Sequence, residues 1–145
     1  MIWNSISGDE SLNLWKQLRK DIAEFTLHQQ LKEIAKFCFS MPIGYRSLDY
    51  YSSEDWPTPW EILYHGSYCT SSISLLMYYT LIMVAPDSNI ELILVEDADG
   101  IYLLPLVDYH FVLNYELGQV SKYSEVENKL TVLKTYTRNQ IKPIK

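Results

Sequence analysis

The chain has 145 residues, 48% of them apolar and 14% aromatic, which is enough hydrophobic material for one packed core and too much for a disordered segment. Its formal charge of −6, from 12 basic and 18 acidic residues, argues against a nucleic-acid backbone as ligand, because phosphate binding depends on lysine and arginine displacing counterions. Two cysteines, Cys38 and Cys69, make no disulfide framework and are expected to be reduced. One domain spanning residues 1–145 is expected. The N-terminus shows no basic segment leading into an apolar stretch and a small-residue cleavage site, so export is not expected and a cytoplasmic location is.

Ser7-Gly8-Asp9-Glu10 has the spacing of a capping box and predicts a helix. Apolar residues then recur at helical spacing from Trp15 through Leu18, Ile22 and Phe25 to Leu31, Ile34 and Phe37, with an offset in the middle. The segment from about Asp9 to Phe39 therefore reads as one long amphipathic helix or two joined ones, ended by Met41-Pro42. From Pro42 to Tyr68 the periodicity is lost, and Gly44, Pro57, Pro59 and Gly66 punctuate a long irregular stretch rich in tyrosine and tryptophan. Loops of that length in a compact domain are usually functional or packed as a covering layer.

The apolar run from Tyr68 to Val84 follows. It contains Thr70, Ser71, Ser72, Ser74 and Thr80 and falls short of the roughly 20 apolar residues a bilayer requires, so a buried central helix is expected and no membrane span. Residues 90–95 read as a strand, Asp97-Ala98-Asp99-Gly100 as a hairpin turn and residues 101–107 as the return, with Pro105 confining that return to an edge or a kink. A third strand is expected over 109–115, with His110, Val112 and Asn114 on one face. A turn at Glu116-Leu117-Gly118-Gln119 and a short strand near 120–123 complete the antiparallel order. Beyond Tyr123 helix and strand signals compete, and the helix carrying Val126, Leu130, Leu133 and Thr137 is slightly preferred over a strand around Leu130-Thr131-Val132-Leu133. The result is an α+β fold.

Cys69 lies where the aromatic loop meets the central helix. A thiol at a helix start gains thiolate character from the unpaired amides and the helix dipole. An imidazole brought beside it would act as general base, and His110 is the candidate. An oxyanion on the attacked carbonyl would draw on the Cys69 backbone N–H and a second donor from the loop. Asn114, Asp108 or Glu125 would hold the imidazole. The plainer alternatives are a small buried hydrophobe at Cys69 and a backbone-bonded ring at His110. His65 and Cys69 could share a helix face, but Gly66 between them and the lack of further clustered ligands weigh against a metal. Asp97-Ala98-Asp99-Gly100 begins like a calcium loop but lacks the downstream glutamate and is explained by the turn. Lys129, Lys134, Lys142 and Lys145 are spread out and read as a solvated face.

The stretch Tyr50-Tyr51-Ser52-Ser53-Glu54-Asp55-Trp56-Pro57-Thr58-Pro59-Trp60-Glu61-Ile62-Leu63, followed by Tyr68-Cys69-Thr70-Ser71-Ser72 and Tyr79-Thr80-Leu81, resembles small uncharacterised proteins of tailed bacteriophages. Some of these look like members of the transglutaminase-like, papain-like superfamily of cysteine hydrolases. The resemblance implies N-terminal helices and a central Cys-bearing helix on a small antiparallel sheet, with Cys69 as nucleophile and His110 as base. It implies a thiol hydrolase or acyltransferase acting on an amide or ester carbonyl of a protein or peptide, without a cofactor. The pattern departs after His110: Val112 stands where such enzymes place an aromatic residue, and Ser121, Tyr123 or Glu125 where they place an aspartate. The competing reading is a non-catalytic phage protein on the same fold that binds a phage or host protein through Trp56, Trp60 and Tyr68. A third is a structural component of the virion.

Overall fold

The computed structural model describes residues 7–39, 41–42, 44, 46–66 and 69–143. Ser7 caps the first helix, α1 (Gly8–Ile22): its hydroxyl accepts from the Glu10 N–H, and the Glu10 side chain accepts in return from the Ser7 N–H. The predicted offset is a true break. Thr26 restarts the chain as the cap of α2 (Leu27–Cys38), so the segment is two helices. Within the stretch expected to be irregular, Thr58 and Glu61 form a second capping box, Pro59 sits in the first turn, and α3 (Pro59–His65) results. Gly66 ends it with φ 62°, a left-handed conformation that favours glycine.

Helix α4 (Thr70–Val84) is the buried centre. Such a helix, apolar all round, must be covered on every side. It packs against α1, α2 and α3 and against the first two strands. Trp15 donates its indole N–H to the Thr80 hydroxyl at 2.9 Å, and Gln30 donates to the carbonyls of Ile22 and Val84 at 3.0 and 3.1 Å. These bonds satisfy polar groups deep among the helices.

The sheet has five antiparallel strands, β1 (Ile90–Asp97), β2 (Gly100–Val107), β3 (Phe111–Leu113), β4 (Val120–Lys122) and β5 (Thr131–Tyr136), in the order β4-β3-β2-β1-β5. Its α4-facing side carries Leu92, Leu94, Leu103, Val107 and Leu113 into the main core. The other side carries Ile93, Val95, Leu104, Leu106 and Val112, covered by Val126, Leu130 and Tyr123. Val126 and Tyr123 belong to a single turn, α5 (Tyr123–Val126), followed by a 3-10 turn, Glu127–Lys129.

Two expectations are corrected and one is met in an unexpected place. Pro105 lies in the middle strand of the order, but at the unpaired edge of β2 beyond the end of β3. Alternate residues of a strand direct their backbone groups to alternate neighbours. Leu103 turns its N–H and C=O away from β1 towards α4, so Pro105, two residues on, has its missing donor on that same side, where the ladder with β3 has already ended at Leu106. The slightly preferred C-terminal helix is replaced, beyond one turn, by β5. The β-branched run Thr131, Val132 and Thr135 completes the open edge of β1, with a register shift at Leu94/Val95. The third strand is shorter than expected because Asp108 and Tyr109 both adopt positive φ, 51° and 57°, and open a three-residue turn, 108–110, in which His110 N–H donates to Val107 C=O at 2.9 Å.

Candidate active site at the start of the central helix

Cys69 is the N-cap residue of α4, half-buried, with φ −75° and ψ 173°. Its sulfur lies 3.7 Å from the Ser72 hydroxyl. Its backbone N–H donates to the Arg46 carbonyl at 2.9 Å, so the amide expected to serve an oxyanion is already engaged within the protein.

The first turns of α4 form a hydroxyl clamp on the edge of β2 that β3 leaves unpaired. Ser71 accepts from the Leu103 N–H at 3.1 Å and shares a hydrogen bond with the Tyr50 hydroxyl, also 3.1 Å, while Ser74 donates to the Leu103 C=O at 2.7 Å. Tyr50 reaches on to the Ile101 C=O at 3.2 Å. Asn114 closes the clamp from the end of β3. Held at φ 65°, it donates its amide to the Thr70 C=O at 3.2 Å and to the Ser74 hydroxyl at 2.8 Å. Sequence reasoning missed Ser71, Ser74 and Tyr50 as a unit. The available signal was the run of hydroxyls in the first turns of an otherwise apolar helix.

His110 is not brought to Cys69. It is exposed in the β2–β3 turn, its ring 4.4 Å from that of Phe111, and its carbonyl accepts from the Tyr123 N–H at 2.8 Å. Asp108, two residues before it, clasps Asn89 through Asn89 N–H to the Asp108 carboxylate and Asp108 N–H to the Asn89 C=O, both 2.7 Å. Asn89 follows the C-terminal end of α4, whereas Cys69 begins that helix. Asn114, which reaches the Thr70 C=O at the helix start, stands four residues along from His110, roughly 13 Å of extended chain at about 3.3 Å per residue, so the imidazole lies at the far end of β3 from Cys69. His110 was expected on a strand face aimed at the helix start; the 108–110 turn puts it at the other end of β3.

The other expected residues disperse as well. Glu125 is exposed on α5, which covers the sheet face turned away from α4. Asn114 is beside the helix start, but its amide serves α4 and not an imidazole. His65 is exposed at the end of α3, its ring against Tyr64. Trp56 is 1% exposed, donates to the Asp49 C=O at 2.8 Å and packs at 4.9 Å on the Tyr136 ring. Trp60 is half-buried, 5.9 Å from Trp15. Both indoles are packing groups, so the loop they anchor is a covering layer. Tyr68 lies outside the described residues.

Burial pushes the Cys38 thiol up to about 12, so this second cysteine is a core residue and no competing nucleophile near neutral pH. Among the described residues no group of three or more His, Cys, Asp or Glu side chains is placed to hold a metal ion, and no helix is long and apolar enough to cross a membrane.

No family model and no curated protein matches the chain. Solved structures do. The chain is similar to calcium-bound LapG of Legionella pneumophila, at TM-score 0.63 and 14% identity over 95% of this chain and 91% of that one. The EGTA-treated form gives TM-score 0.70 and 16% identity over 94% and 78%, and a further LapG structure gives 0.68 and 16% over 94% and 80%. At such identity the likeness speaks for the fold: an α+β, transglutaminase-like arrangement in which a central helix starting at a cysteine packs on an antiparallel sheet.

Proposed function

We propose that this chain is a non-catalytic member of the transglutaminase-like fold class and acts by binding another protein. The observation that carries this reading is the apolar lining of the sheet face that meets α4. Leu92, Leu94, Leu103, Val107 and Leu113 offer no imidazole and no carboxylate to Cys69. The engaged Cys69 N–H and the commitment of Asn114 to the helix support it. Among the described residues no imidazole or carboxylate is hydrogen-bonded to Cys69 and its own N–H is taken, so two of the contributions that make acyl transfer fast are not in place. A phage or host protein is the partner proposed under this reading, on the resemblance of the 50–63 segment alone.

The thiol hydrolase reading keeps one supporting observation, the position of Cys69 at the start of a long helix. Alkylation separates the two. In the folded chain at neutral pH, iodoacetamide should modify Cys69 at the same rate in the wild type and in His110→Ala, while Cys38 stays unmodified until the protein unfolds. A large drop in the Cys69 rate on removing His110 would restore the catalytic reading.

A further inference from the structure

The distribution of charge along the chain is uneven in a way the fold makes legible. Glu127 is the last acidic side chain in the sequence; the residues after it carry Lys129, Lys134, Arg138, Lys142 and Lys145 in a protein whose net charge is −6. These cations look scattered along the sequence. The sheet gathers three of them along one edge, since Lys129 closes the 3-10 turn before β5, Lys134 lies within β5, and Arg138 opens the 3-10 turn after it.

β5 is the terminal strand of the sheet, paired only with β1, and residues 50–56 touch its C-terminal half at Lys134 and Tyr136 while Thr131 to Leu133 stay exposed. Thr131, Val132, Leu133 and Thr135 are exposed, with Val132 and Leu133 at 42% and 39%. Such an edge offers a row of backbone donors and acceptors with apolar side chains between them, the surface that strand addition uses. The Lys134 ammonium is held 4.7 Å from the Tyr136 ring and 5.8 Å from that of Tyr51. The rings fix it beside the edge without neutralising it.

We propose that the β5 edge is the docking site for an extended, acidic segment of a partner protein, which adds to the sheet as a sixth strand. This rests on the binding-module reading and names the partner's chemistry. Charge decides between the possible occupants. A second copy pairing edge to edge would set one basic row against another, whereas glutamate or aspartate on an incoming strand would meet Lys129, Lys134 and Arg138.

The test uses the full chain and two short synthetic peptides, one alternating glutamate with valine or threonine, the other with lysine in place of each glutamate. The acidic peptide should shift the backbone NMR signals of residues 131–136 and slow exchange of their outward amides. Its affinity should fall with added salt and about fivefold in Lys134→Glu, in line with the modest energy of an exposed ion pair. Lys129→Glu with Arg138→Glu, at the turns outside the strand, should weaken it too and guards against a misfolded first variant. Equal binding of both peptides, shifts confined to other elements, or sedimentation showing dimers joined through β5 would each overturn the proposal. The alkylation rates of Cys69 do not depend on this edge, so failure here leaves the non-catalytic reading standing to be judged separately.

Discussion

Cys38 and Cys69 show how burial and position give two thiols different fates. Cys69 sits half-buried at a helix start, whereas Cys38 is sealed among the helices, its titration moved from 9.0 to about 12 by loss of hydration. Tyr79 moves in the same direction, from 10.0 to about 12, chiefly through burial. A raised value means that the unfolded chain ionises first. Stability from these groups is therefore complete below about pH 9 and drains away as pH climbs towards 12. Urea unfolding at a series of alkaline pH values should show this fall, and Cys38→Ala should flatten it between pH 9 and 12. An unchanged slope in that variant would mean the thiol is hydrated in the native state. At this scale the sequence was informative about Cys69, whose place before a long apolar run marks a helix start. It was silent about His110, because the deciding event is a positive φ at Asp108 and Tyr109. Aspartate adopts that conformation readily and tyrosine does not, so nothing in the dipeptide announces the turn.

The elements are joined by side chains that replace strand partners. Beyond the end of β3 the edge of β2 is left open, and Ser71 and Ser74 of α4 supply the bonds a longer β3 would have made. Asn114 ties β3 to the same two turns of helix. Asn114→Ala should cost about 1–3 kcal/mol, the range for stranding buried polar partners, with added strain from the left-handed backbone. Asn114→Gly removes the bonds but suits φ 65°, and so should cost less; chemical denaturation compares them, and equal losses would show that the backbone conformation carries no strain. The capping box at Ser7 and the 90–107 hairpin were readable because their signals are local. The α2 cap at Thr26 and the α3 cap at Thr58 follow the same local rules, but a broken period hid the first and a loop-like composition the second. β5 was ambiguous for a different reason: whether Leu130 to Thr137 becomes helix or strand is settled by the free edge of β1, a partner more than thirty residues away.

For the molecule as a whole, the α+β class and the layering of a buried central helix on an antiparallel sheet followed from the order of the elements and the all-round apolarity of α4. The functional geometry did not follow, because a fold fixes where a site could be built without supplying its residues. Here the helix start keeps its cysteine while the sheet opposite is lined by leucine and valine, and the histidine that the sequence offered belongs to the far end. The Trp-Pro-Thr-Pro-Trp segment, which the sequence also offered as a binding surface, spends both indoles on packing. Exposed backbone and positive charge coincide instead at β5.

The separation of Cys69 from His110 is the claim on which the functional reading turns, and nuclear Overhauser contacts between the His110 ring protons and the Cys69 β-protons test it directly. With the His110 ring at the far end of β3 none should appear, while the Asn114 side-chain amide should show contacts to Thr70 and Ser74. A strong contact between the imidazole and Cys69, which would put the two within hydrogen-bond reach, would contradict the account.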